Sequence, residues 1–68
     1  MTNTIGRNIR TTRERLGMEQ QELAGKIGLT SASLSNIERG KNLPKTQNLI
    51  KIAQALGVTA EELMKGVS

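Results

Sequence analysis

Gln20-Gln21-Glu22-Leu23-Ala24-Gly25-Lys26-Ile27-Gly28-Leu29-Thr30-Ser31-Ala32-Ser33-Leu34-Ser35-Asn36-Ile37-Glu38-Arg39-Gly40 is the stretch whose reading decides the fold. Leu23, Ala24 and Ile27 fall on one side of a helix over 20–27, and Gly28 ends it. Thr30 is placed to cap a second helix whose buried pair is Leu34 and Ile37 and whose end is Gly40. Ala24 offers a small side chain where the two backbones must approach. Two short amphipathic helices with a tight turn between them form a helix-turn-helix layout, whose second helix has the size to enter a DNA major groove.

The same punctuation extends outward. Ile5, Ile9 and Leu16, with Thr12 between, mark a first helix with Thr4 as its cap and Gly17 just past its end. Pro44 belongs to the loop after the third helix. A fourth helix is expected over 46–56, burying Leu49, Ile50, Ala53 and Leu56 before Gly57. Thr59-Ala60-Glu61-Glu62 has the capping-box pattern and starts a short fifth helix ending at Gly66. No segment alternates with a period of two. The expectation is an all-α fold, a compact five-helix domain over residues 1–68, with no sheet.

With 68 residues the chain buries only about 60% of the surface its unfolded form exposes. It has no cysteine for a disulfide or thiolate site, no histidine, and no aromatic residue, so its core is Leu, Ile, Val, Ala and Met. No apolar run reaches the roughly 20 residues of a membrane span, and Met1-Thr2-Asn3-Thr4 has no hydrophobic signal core. The reading is a soluble, cytoplasmic chain with no expected metal, cofactor or small-molecule ligand. Its net charge of +4 lies entirely on residues 1–45; residues 46–68 balance Lys51 and Lys65 against Glu61 and Glu62. That asymmetry suits a polyanionic partner, or simply a solvated surface.

Catalysis finds no constellation. Gly40-Lys41-Asn42-Leu43-Pro44-Lys45-Thr46 lacks the glycine of a phosphate loop before its lysine and follows a helix rather than a strand. Glu61 and Glu62 are adjacent and diverge by about 100° on a helix. Ser31, Ser33 and Ser35 have no histidine base. The chain is therefore expected not to be an enzyme.

With burial centred between Leu34 and Ile37, steps of about 100° turn Ala32 and Arg39 outward, with Ser35 and Asn36 beside them and Ser31 near the helix start. A solvated helix face usually carries long charged residues; this one is small and polar. Asn pairs with adenine N6 and N7, Ser meets either base, and an Ala methyl contacts thymine. A bland serine-rich helix is the alternative.

From these residues the chain is similar to the helix-turn-helix domain of the temperate-phage repressor and Cro group, of the xenobiotic-response-element type. The matching residues are Gln20, Glu22-Leu23-Ala24, Gly28 and Glu38-Arg39-Gly40, then Pro44 and Ile52-Ala53-Gln54-Ala55-Leu56-Gly57-Val58. About three-quarters of the chain is covered. The resemblance implies a repressor-like fold and a DNA-binding regulator, with double-stranded DNA as partner. It implies that Gln20 contacts a phosphate at a helix N-terminus. It further implies that Thr30, Ser31, Ala32 and Asn36 face bases, and Arg39, Lys41 and Lys45 the flanking phosphates. Arg13 and Glu38 match a family pair tying the first helix to the end of the third; an exposed ion pair worth under about 1 kcal/mol is the alternative. Three positions depart from the pattern: Glu19 stands where Ser, Thr or Asn usually caps, Ser31 and Ala32 replace long polar readers, and Glu62 replaces an apolar or aromatic residue at the subunit contact.

One recognition helix reads too few base pairs for an operator, so two copies on half-sites about one turn apart are expected. Leu43, Ala60, Met64 and Val67 are the candidate dimer contacts, in a homodimer that is weak without DNA. The competing function is a protein-interaction module of antitoxin or anti-repressor type.

Overall fold

Ten buried aliphatic side chains hold the fold together, and each helix supplies at least one of them: Ile9; Leu23, Ala24 and Ile27; Leu34 and Ile37; Ile52, Ala53 and Leu56; and Leu63. The structure, a computed structural model, describes residues 4–66. It contains α1 (Thr4–Arg15), α2 (Gln20–Ile27), α3 (Ser31–Glu38), α4 (Thr46–Leu56) and α5 (Ala60–Leu63), with no strand among the described residues. Helix α1 packs on α3, α4 and α5, and α2 packs on α3 and α4.

The turn between α2 and α3 follows from two local choices. Gly28 sits at φ 75°, ψ 24°, a left-handed conformation that costs other residues about 1–2 kcal/mol. There the Leu29 amide donates to the Ala24 carbonyl at 2.9 Å. Thr30 then caps α3, its Oγ1 accepting from the Ser33 amide at 3.1 Å. Thr59 caps α5 in the same way through the Glu62 amide. The caps of α2 and α4, Glu19 and Lys45, make no side-chain capping hydrogen bond.

Several expectations are corrected. Thr4 is the first helical residue of α1 rather than its cap. Leu16 lies on the expected stripe but follows the last helical residue, and 54% of it is in solvent. On α4 the buried residue is Ile52, and Ile50 is 47% exposed. Residues two apart on a helix differ by about 200°, so burying Ile52 turns Ile50 outward. Helix α5 ends at Leu63, and the chain turns through Met64 and Lys65 to Gly66.

Two contacts had no counterpart in the sequence reading. A Cβ on Gly6 would lie 2.1 Å from the Ile37 carbonyl oxygen and 3.0 Å from that of Glu38, so α1 meets the end of α3 backbone to backbone. Asn8 donates through Nδ2 to the carbonyls of Leu63 and Lys65, both at 2.8 Å. It satisfies carbonyls that the end of so short a helix leaves open.

Candidate nucleic-acid interface

The interface is built on a buried charge cluster under the end of α3. Glu38 completes the inward face that begins with Leu34 and Ile37, and its carboxylate meets Arg13 from α1. Arg13 Nε donates to Glu38 Oε2 at 2.7 Å and Nη2 to Oε1 at 3.1 Å, a fork-to-fork pairing. The third guanidinium nitrogen donates to the Met18 carbonyl at 2.8 Å. Gln20, opening α2, donates through Nε2 to Glu38 Oε1 at 3.1 Å. Side-chain exposure is 11% for Arg13 and 2% for Glu38, so the exposed-pair alternative is set aside. The hydrogen bond with Glu38 raises the Arg13 pKa above its ordinary value, against the opposing effect of burial. One cluster thus fixes α3 relative to α1 and the start of α2.

Above it lies a cleft of about 390 Å³ lined by Arg10, Arg13, Glu19, Gln20, Ser35, Glu38 and Arg39. Arg10 also pairs with Glu14 one turn along α1, at 3.2 Å and in solvent. The outer face of α3 continues from the cleft. Ala32, Ser33 and Arg39 are exposed, and Ser31, Ser35 and Asn36 are half-buried. Thr30 is exposed, its hydroxyl accepting from the Ser33 amide and donating to Ser33 Oγ at 3.0 Å. Of the side chains expected to meet bases, Thr30 keeps its cap through one lone pair of Oγ1, so its hydroxyl proton can still turn to a base and its methyl is also exposed. Asn36 Oδ1 accepts from Arg39 Nη2 at 3.1 Å, a link that helical spacing alone does not reveal. Lys41 and Lys45 are exposed in and at the end of the loop that follows.

The candidate dimer residues lie elsewhere. Leu43 is 68% exposed and Met64 44%, whereas Ala60 is half-buried against the core, and Val67 lies outside the described residues. Ile50 adds an exposed apolar side chain where the sequence pattern alone predicts a core position.

Residues 9–63 match the helix-turn-helix family. The chain belongs to that family. Among helix-turn-helix relatives, it is 36% identical over 64 residues to an uncharacterised transcriptional regulator of Sinorhizobium fredii, covering 94% of this chain and 83% of the relative. It is 31% identical over 65 residues to the C2 repressor of Salmonella phage P22, covering 96% of this chain but 30% of the repressor. The crystal structure of that repressor with a synthetic operator superposes with a TM-score of 0.86 at 31% identity, over 96% of this chain and 98% of that one. This helix-turn-helix chain thus spans less than a third of the phage repressor's full length.

Proposed function

We propose that this chain is a sequence-specific DNA-binding transcriptional regulator, a repressor, that lays α3 in the major groove of a two-fold symmetric operator. The observation that carries the reading is the pairing of a small, polar outer face on α3 with the buried Arg13–Glu38 cluster that holds the helix rigid from below. Small side chains let the helix backbone approach base edges, and a fixed helix spends no binding energy on ordering. In this reading Thr30, Ser31, Ala32, Ser35 and Asn36 meet bases. Gln20, Arg39, Lys41 and Lys45 meet phosphates, Gln20 using the Nε2 hydrogen that Glu38 leaves over.

Two copies act together through Leu43, Ala60, Met64 and Val67; the exposed apolar area is small, so DNA reinforces the dimer. The chain acts without catalysis, through one folded domain, in the cytoplasm on the nucleoid. The P22 repressor, solved with its synthetic operator, supports this reading by analogy.

Titration of random-sequence duplex at several salt concentrations tests it. Three cations at the phosphates predict a slope of log K against log salt near −3 for each protomer, at about −0.9 per neutralised phosphate. Enrichment of a palindromic site from a random pool completes the test. Absence of duplex binding at low salt refutes the reading and leaves the protein-interaction module, with Leu43, Ile50 and Met64 as its surface.

A further inference from the structure

We propose that Asn36 reads guanine, and that Arg39 is the positioning residue that imposes this choice. The inference rests on the DNA-binding reading above and gives it a base identity.

An asparagine side chain has two ends of opposite polarity. The pairing with adenine uses both: the carbonyl accepts from N6 and the amide donates to N7. In this chain the two ends are not equally available. Asn36 Oδ1 is turned toward Arg39 and accepts from Nη2 at 3.1 Å. Residues three apart share one helix face, so the two side chains stand next to each other on the outer surface of α3. With Oδ1 turned toward Arg39, Nδ2 is the end of the amide that has no partner among the described residues. Arg39 is exposed and forms no ion pair among the described residues, so its charge stands beside that amide.

Asn36 therefore presents a donor outward, with the positive charge of Arg39 beside it. In the major groove guanine shows two acceptors, N7 and O6, whereas adenine shows N7 beside the N6 amino donor. A donor at Nδ2 finds an acceptor on guanine at either N7 or O6; on adenine it finds N7 alone and is opposed by the N6 amino group. Ala32 has no polar group, and the hydroxyls of Ser31 and Ser35, each able to donate or accept, suit either purine equally.

The experiment is selection from random duplexes with the full chain, its Asn36→Ala variant and its Arg39→Ala variant, each checked for helicity by circular dichroism. The position in each half-site that loses its preference in Asn36→Ala is the one Asn36 reads. The expected base there is guanine for the unaltered chain. Arg39→Ala should free Oδ1 and shift the guanine-to-adenine ratio at that position toward adenine by about tenfold. Replacing that guanine with 7-deazaguanine should weaken binding of the unaltered chain about tenfold and affect Asn36→Ala little. A purely structural role for Arg39 would weaken binding without changing the selected base. Adenine selected by the unaltered chain, an unchanged ratio in Arg39→Ala, or no position sensitive to Asn36→Ala would each overturn the inference while leaving DNA binding intact. Failure to enrich any sequence would remove the DNA-binding reading and this inference with it.

Discussion

Replacing Arg13 by Met removes the guanidinium and keeps most of the apolar stem. Glu38 then keeps its charge in a site where its side chain is 2% exposed, and retains only the Gln20 amide as a donor. Breaking a buried pair by removing one partner costs about 3–5 kcal/mol, because the remaining charge is uncompensated. The Met18 carbonyl also loses its donor. A domain of this length has a total stability of about 3–10 kcal/mol at the usual 0.05–0.15 per residue, so the single variant should lose most of it. The double variant Arg13→Met/Glu38→Leu removes both charges, and an apolar pair of similar volume is near neutral in such sites. It should recover all but about 1–2 kcal/mol, the residue belonging to the Met18 carbonyl. Urea unfolding followed by far-ultraviolet circular dichroism measures this, since the chain has no Trp or Tyr to report by fluorescence. A single variant costing under about 1 kcal/mol would show that the pair behaves as a solvated one. A double variant as unstable as the single one would show that the stranded carboxylate is not the cause.

Gly6→Ala should destabilise by at least about 2 kcal/mol in the same assay instead of giving the gain of roughly 1 kcal/mol usual inside a helix, because the new Cβ would meet the Ile37 carbonyl at 2.1 Å. Glu19→Asp should stabilise by about 0.5–1 kcal/mol, since it keeps the negative charge at the start of α2 and supplies the cap that Glu19 does not; no change in the urea midpoint would count against that account. Lys41→Ala should weaken binding to specific and random duplexes alike and lower the salt slope by about one unit; an unchanged slope would take Lys41 off the phosphates. Met64→Asp should leave helicity intact, because Met64 is 44% exposed, and should impair binding to a full site more than to an isolated half-site; equal losses on both would remove Met64 from the dimer contact.

Where the sequence reading succeeded, the signal was local. Gly28 and Thr30 announce their turn because one needs a left-handed backbone and the other an exposed amide to cap, and neither need depends on distant residues. Leu23, Ala24 and Ile27 on α2, and Leu34 and Ile37 on α3, each form one unambiguous stripe. Helix α4 does not: Leu49, Ile50, Ile52, Ala53 and Leu56 are all apolar and cover more than one face, and the packing of α1, α2 and α5 against α4 buries Ile52 rather than Ile50. Gly6 gave no signal because its role is an absence of side chain, meaningful only once α3 lies across it. Asn8 reads as an ordinary polar residue until α5, more than fifty positions away in sequence, comes to rest on it. On α3 the outward set was legible from the helical period, but the polarity of Asn36 was not, because it depends on which way the amide is turned.

The five largest fully buried side chains are Ile9, Leu23, Leu34, Ile52 and Leu63, one in each helix. Each of them ends in methyl groups. A sample labelled at isoleucine and leucine methyls would thus hold a separate interior reporter for every helix. During titration with an operator, shifts at Leu34 without shifts at Ile52 and Leu63 would mean that only the reading element adjusts. Shifts at all five would mean that the interior moves as one body.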